Sequence, residues 1–131
     1  HATNAGACAT LLKVFFDGDS KWSDYSKVVQ ADASGDHLIP YDEEDVNNIT
    51  VGGEINKLAY NIVLGRDWAG VHYRTDGSKG IELGEKVAIH FVQDLLSSCI
   101  ENYPDGTPPA IKIRKFNGEE IIIRPSLCNK N

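Results

Sequence analysis

The chain has 131 residues, enough for one domain with a modest core, and carries a net charge of −6 with a pI near 5.1. Its basic residues are dispersed, which argues against a nucleic-acid partner, and no stretch is apolar for long enough to span a bilayer as a helix. Cys8, Cys99 and Cys128 are an odd count with no C-x-x-C pair, so neither a disulfide framework nor a thiolate metal site follows and the redox compartment stays open.

Residues 2 to 16 read as an alanine-rich helix ending at Asp17-Gly-Asp-Ser20. His1, Ala5, Cys8, Leu12 and Phe15 fall on one face, with small residues first for close helix approach and larger ones later for burial. Residues 17 to 50 are polar and read as irregular. The acidic run Asp42 to Asp45 suits a solvated stretch better than a calcium loop, which needs alternating ligands and a glycine. An Asx or Thr cap is expected before a second helix over about Val51 to Ala69.

That helix carries the informative pattern. Ile55, Leu58, Ala59, Ile62 and Val63 form a stripe at helical spacing, and the next position on it is Arg66. A guanidinium on an apolar face is costly unless an anion or carboxylate meets it. Six residues later comes His72, with Gly65 and Gly70 around the pair, where small residues would let backbone approach a ligand. Two readings fit: an oxyanion site with Arg66 holding charge and His72 doing chemistry, or a structural ion pair beside a turn-capping histidine. Asp67 reads as an acid at the surface or just behind the site, and Trp68 reads as core. Asp67 and Asp76 both remain candidates to orient His72 through its second ring nitrogen.

After a loop over residues 70 to 79, a third helix is expected from about Gly80 to Asn102. Val87, Ala88, Phe91, Leu95, Cys99 and Ile100 lie inward and His90 off the stripe. Cys8 and Cys99 read as small buried hydrophobes, and Cys128 as free or paired with another chain. Tyr103 to Pro109 is a breaker-rich linker. Ile111 to Phe116 and Glu119 to Arg124 around Asn117-Gly118 give a β-hairpin with a type I′ turn, one face packed and the other wet. Lys13 and His37 have no role that the sequence suggests. The fold class is mainly α, a portion of a helical bundle with its site between helices and a small C-terminal hairpin.

The stretch Gly53 to Asp76, containing Arg66-Asp-Trp-Ala-Gly-Val-His-Tyr-Arg-Thr-Asp76, resembles the last active-site motif of the vanadium-dependent haloperoxidases. The opening His1-Ala-Thr-Asn-Ala-Gly-Ala-Cys resembles the segment after Pro-Ser-Gly in that family's Pro-Ser-Gly-His motif. Similarity is greatest to the bromoperoxidase branch. These enzymes share a helical superfamily with the type 2 phosphatidic acid phosphatases. The resemblance implies vanadate as cofactor, His72 as vanadium ligand, Arg66 as a contact to an equatorial oxygen, and His1 as the acid–base histidine. It implies use of hydrogen peroxide to oxidise halide to a hypohalous species that halogenates small organic substrates. It also implies homo-oligomers and a secreted, periplasmic or cell-surface location.

Two of the family's elements, Lys-x6-Arg-Pro and the Ser-Gly before the motif histidine, are absent from the chain. With no methionine anywhere, residues 1–131 are therefore expected to be the C-terminal portion of a single catalytic domain, inactive in isolation. An acid phosphatase acting through a phosphohistidine uses the same residue types and is the alternative. A non-catalytic helical subunit is a third reading.

Overall fold

A computed structural model describes residues 1–98 and 109–126. Helix α1 spans Ala2–Phe15, α2 Val51–Trp68 and α3 Arg74–Ser98. Strands β3 (Ile111–Arg114) and β4 (Glu120–Ile123) form the expected hairpin. The interval between α1 and α2 is less irregular than its sequence suggests: β1 (Val29–Ala31) and β2 (Leu38–Pro40) pair antiparallel, Val29 with Pro40 and Ala31 with Leu38. Every residue of both short strands is exposed, so no apolar alternation announced them. The mainly α architecture with a small hairpin is as expected; Cys99, Ile100, Cys128 and the linker at 103–108 lie outside the described residues.

α1 is the central helix, packed chiefly on α3 and more lightly on α2. Its buried face is Ala5, Gly6, Ala9, Thr10 and Lys13, turned from the face expected: Cys8, Leu12 and Phe15 are exposed. The cause lies in α3, whose inner face carries Gly77, Ile81, Gly84, Glu85, Ala88, Val92 and Leu96, while Val87, Phe91 and Leu95 point outward. Small residues meet small residues, so the two backbones touch. A methyl group on Gly6 would stand 2.5 Å from the Ile81 carbonyl oxygen, and one on Gly80 would stand 2.6 Å from Ala2 Cβ. Contact area from backbone proximity replaced the large side chains that a periodicity reading favours. On α2, Ala59 and Val63 are buried, whereas Leu58 and Ile62 of the same stripe are largely exposed.

The hairpin docks on the helices through Ile113 and Ile123, which join Val92 and Leu96 in a second core cluster edged by Leu11, Val14 and Ile89. Each fully buried Ile contributes about 1.5–3 kcal/mol relative to exposure. Its turn is not type I′, since Asn117 does not have positive φ. Gly118 alone does, at +85°, and its N–H donates to the Lys115 carbonyl at 3.0 Å, a type I turn closed by a glycine bulge.

A polar knot also fixes the hairpin. The Lys13 ammonium donates to Asn56 Oδ1 (3.1 Å) and to the Arg114 carbonyl (3.0 Å). It lies 3.9 Å from Glu85 Oε1 and 4.0 Å from the centre of the Phe116 ring. Glu85 Oε1 accepts the Phe116 N–H at 2.8 Å. Burial pushes the Lys13 pKa down, and the Glu85 carboxylate opposes that shift. All three helices and the hairpin meet at this lysine.

Candidate active site

Arg66 and His72 are brought together by the way α2 ends. Gly70 takes φ +68°, its N–H donates to the Asp67 carbonyl at 2.9 Å, and the Val71 N–H reaches back to the Arg66 carbonyl at 3.4 Å. This is a Schellman ending, which satisfies carbonyls of the last turn and reverses the chain. Gly70 is therefore required by the turn. Neither it nor Gly65 has any other protein atom within 4 Å of where a side chain would start, so neither is held small by packing within the described residues.

α3 begins at Arg74, six residues before the expected start, and places Arg74 and Asp76 in its first turn. Asp76 acts as the N-terminal acid: its Oδ2 accepts the Tyr73 N–H at 3.0 Å. The same oxygen lies 3.6 Å from His72 Nδ1, too long for a hydrogen bond but close enough to favour a proton on that nitrogen. Of the two candidate orienting acids, Asp76 is the one that faces His72.

His1, Arg66 and His72 line one cavity of about 100 Å³, together with Asp67 and Asp76. Its wall is closed by the first turn of α1 and by Val63, Gly77 and Gly80. Gly77 and Gly80 matter here because side chains would collide with Val63 and Ala2. Three helix ends thus converge: the N-termini of α1 and α3 and the C-terminus of α2. Helix N-termini present unpaired N–H groups and partial positive charge, which suits an anion.

Neither Arg66 nor Asp67 makes a side-chain hydrogen bond or ion pair among the described residues. Arg66 Nε and Asp67 Oδ1 are buried and unpartnered. A buried donor without an acceptor is costly, so Arg66 suits an oxyanion, and no acid among the described residues pairs with it. Asp67, expected at the surface or just behind the site, is half-buried at the cavity. Trp68, expected in the core, is 85% exposed. His90 and His37 are exposed, and the Asp42–Asp45 run is solvated. Among the described residues no cluster of three or more metal-binding side chains occurs, and no helix is long and apolar enough to cross a membrane.

No protein-family model matches the chain. It is 40% identical over 123 residues to the vanadium-dependent bromoperoxidase of Corallina officinalis, covering 94% of this chain and 19% of that protein. The corresponding enzyme of Ascophyllum nodosum is 37% identical over 122 residues, covering 92% of this chain and 20% of the relative. The chain is homologous to a segment of the vanadium-dependent bromoperoxidases. It spans about a fifth of the length of the curated relatives it matches. Among solved structures, the homohexameric second vanadate-dependent bromoperoxidase of Ascophyllum nodosum superposes with a TM-score of 0.77 at 30% identity, over 95% of this chain and 24% of that one. The kinship favours a haloperoxidase over the phosphatase alternative.

Proposed function

We propose that this chain is part of the catalytic domain of a vanadium-dependent haloperoxidase of the bromoperoxidase branch. In this reading the enzyme uses hydrogen peroxide to oxidise halide to a hypohalous species, which halogenates small organic substrates. The observation that carries the reading is that His1, Arg66 and His72 line one small cavity in which the guanidinium has no partner among the described residues.

Vanadate, when bound, supplies the electrophilic centre that makes peroxide an oxidant for halide. His72 would be its ligand through Nε2, because Asp76 faces Nδ1 and favours the proton there. Arg66 would donate to oxyanion oxygens, its planar fork offering two parallel N–H groups. His1, at the start of α1, would take and return a proton, an imidazole being able both to accept and to donate one.

The charge balance of the cavity is incomplete. One guanidinium faces two carboxylates, Asp67 and Asp76. Tight retention of an oxyanion needs further cations, which a larger catalytic domain would bring; this chain alone should hold one weakly. The outward strip Leu83, Val87, Phe91 and Leu95 on α3 also suits burial under additional protein. A homo-oligomeric assembly is proposed on the homohexamer of the Ascophyllum relative.

The test is bromination of a phenolic dye by the longer polypeptide with vanadate, peroxide and bromide. Activity is expected to require vanadate, to vanish in His72→Ala, and to be undetectable in the 131-residue chain. Vanadate-independent bromination, or full activity in His72→Ala, would overturn the proposal.

A further inference from the structure

Among the described residues, two charged side chains at the cavity lack partners, and they are of opposite kinds. Arg66 has N–H donors and no acceptor; Asp67 has carboxylate oxygens and no donor. They are adjacent in sequence yet do not pair with each other. The remaining acid, Asp76, is already engaged by the Tyr73 N–H and faces His72. Asp67 is thus the surplus acceptor of the site.

A fully deprotonated oxyanion satisfies Arg66 and aggravates Asp67. Every oxygen it offers is an acceptor, and a carboxylate can only accept. A ligand that meets both residues must accept from the guanidinium and donate to the carboxylate. An oxyanion carrying a hydroxyl does both. Vanadate and phosphate carry at least one proton in the neutral range, whereas sulfate, of similar shape, carries none.

We propose that Asp67 is a specificity-determining residue that accepts a hydrogen bond from the hydroxyl of a protonated tetrahedral oxyanion, so the cavity discriminates against unprotonated oxyanions of the same size. The inference rests on the oxyanion reading of the cavity. It adds the protonation state of the ligand and the residue that reads it. His1 faces the same cavity and can donate to any oxygen, whereas His72, with its proton at Nδ1, offers Nε2 as a second acceptor for a hydroxyl, so the Asp67→Asn variant and not the wild-type ratio isolates the part that Asp67 plays.

The test is an NMR titration of the 131-residue chain with inorganic phosphate and with sulfate at neutral pH and matched ionic strength. The His1 and His72 imidazole signals report occupancy, and the method reads weak binding. Phosphate is expected to bind at least about tenfold tighter than sulfate, the scale of leaving a buried charged acceptor without its donor. In Asp67→Asn, whose amide can donate as well as accept, sulfate binding should rise and the preference should shrink to about twofold or less. A thermal melt establishes that the variant is folded.

Equal binding of phosphate and sulfate to the wild-type chain would overturn the inference while leaving the oxyanion site standing. So would a variant that binds both more tightly by one common factor, because Asp67 would then be a plain repulsive charge awaiting a cation. Absence of binding by either anion would overturn the oxyanion reading and, with it, this inference.

Discussion

Substituting alanine at two glycines, Gly84 in α3 and Gly65 in α2, should produce opposite effects. Glycine costs a helix interior about 0.8–1 kcal/mol relative to alanine, so each substitution begins with that gain. At Gly65 nothing lies within 4 Å of the new carbon, and the gain should survive almost whole. At Gly84 the new carbon would overlap the Thr3 carbonyl oxygen. It would also stand 2.7 Å from the Ala7 amide nitrogen and 3.0 Å from the Thr3 carbonyl carbon. All three are backbone atoms of α1, so no side chain can swing away and the helices must separate. Overpacking of this kind costs about 1–3 kcal/mol, and more where backbone has to move. The net expectation is a gain of about 0.5–1 kcal/mol for Gly65→Ala and a loss of about 1–2 kcal/mol or more for Gly84→Ala. Urea unfolding followed by far-ultraviolet circular dichroism measures both. If Gly84→Ala matched Gly65→Ala in sign and size, the close α1–α3 crossing would be wrong, and with it the placement of His1.

Lys13→Met would leave the Glu85 carboxylate buried without its cation and should cost about 3–5 kcal/mol in the same assay, with Lys13→Met/Glu85→Gln recovering much of it because glutamine still accepts the Phe116 N–H. Thr50→Ala removes the side chain that accepts the Gly53 N–H at 3.1 Å at the start of α2 and should cost about 1 kcal/mol. The Tyr41 phenol donates to Asp45 at 2.6 Å, and this bond, more than the nearby acidic charge, raises its pKa to about 12. Its contribution to stability should be present below the ordinary phenol value of 10.0 and be lost as pH rises through about 12. Ultraviolet titration should find one late tyrosine that Asp45→Asn returns toward the others.

Features written in local chemistry were legible from the sequence. The cap at Thr50, the apolar run of α2, the break at Gly70 and the alternation around Ile113 each announce themselves within a few residues. The association of Arg66 with His72 was legible for the same reason. What the sequence concealed is set by partners distant along the chain. Which face of α1 is buried depends on the glycines of α3, since small residues bury backbone and leave little trace in a hydrophobic period. Lys13 looks like a solvated cation until Asn56, Glu85 and the Arg114 carbonyl surround it. The start of α3 was missed because Gly77 and Gly80 look like helix breakers, although here they are the residues that admit Val63 and Ala2. Asp67 stayed open between the surface and the site because a helix wheel does not extend beyond the last turn, where the Schellman ending reverses the chain and brings His72 to the same cavity.

These two kinds of information divide the site itself. Arg66, His72 and Asp76 lie within eleven consecutive residues, positioned by one helix ending, one reversal and one capping acid. Their relative geometry needs only the α2–α3 corner to form. His1 belongs to the same cavity solely because α1 seats against Gly80 and Gly84. If the proposed roles hold, the anion-holding half of the site is local and robust, while the proton-handling half depends on long-range packing. A crossing that loosens should withdraw His1 first and leave the guanidinium and the second imidazole in place. Affinity for an oxyanion would then decline modestly while proton transfer failed, so a helix-crossing defect and a ligand defect should be separable in the full enzyme.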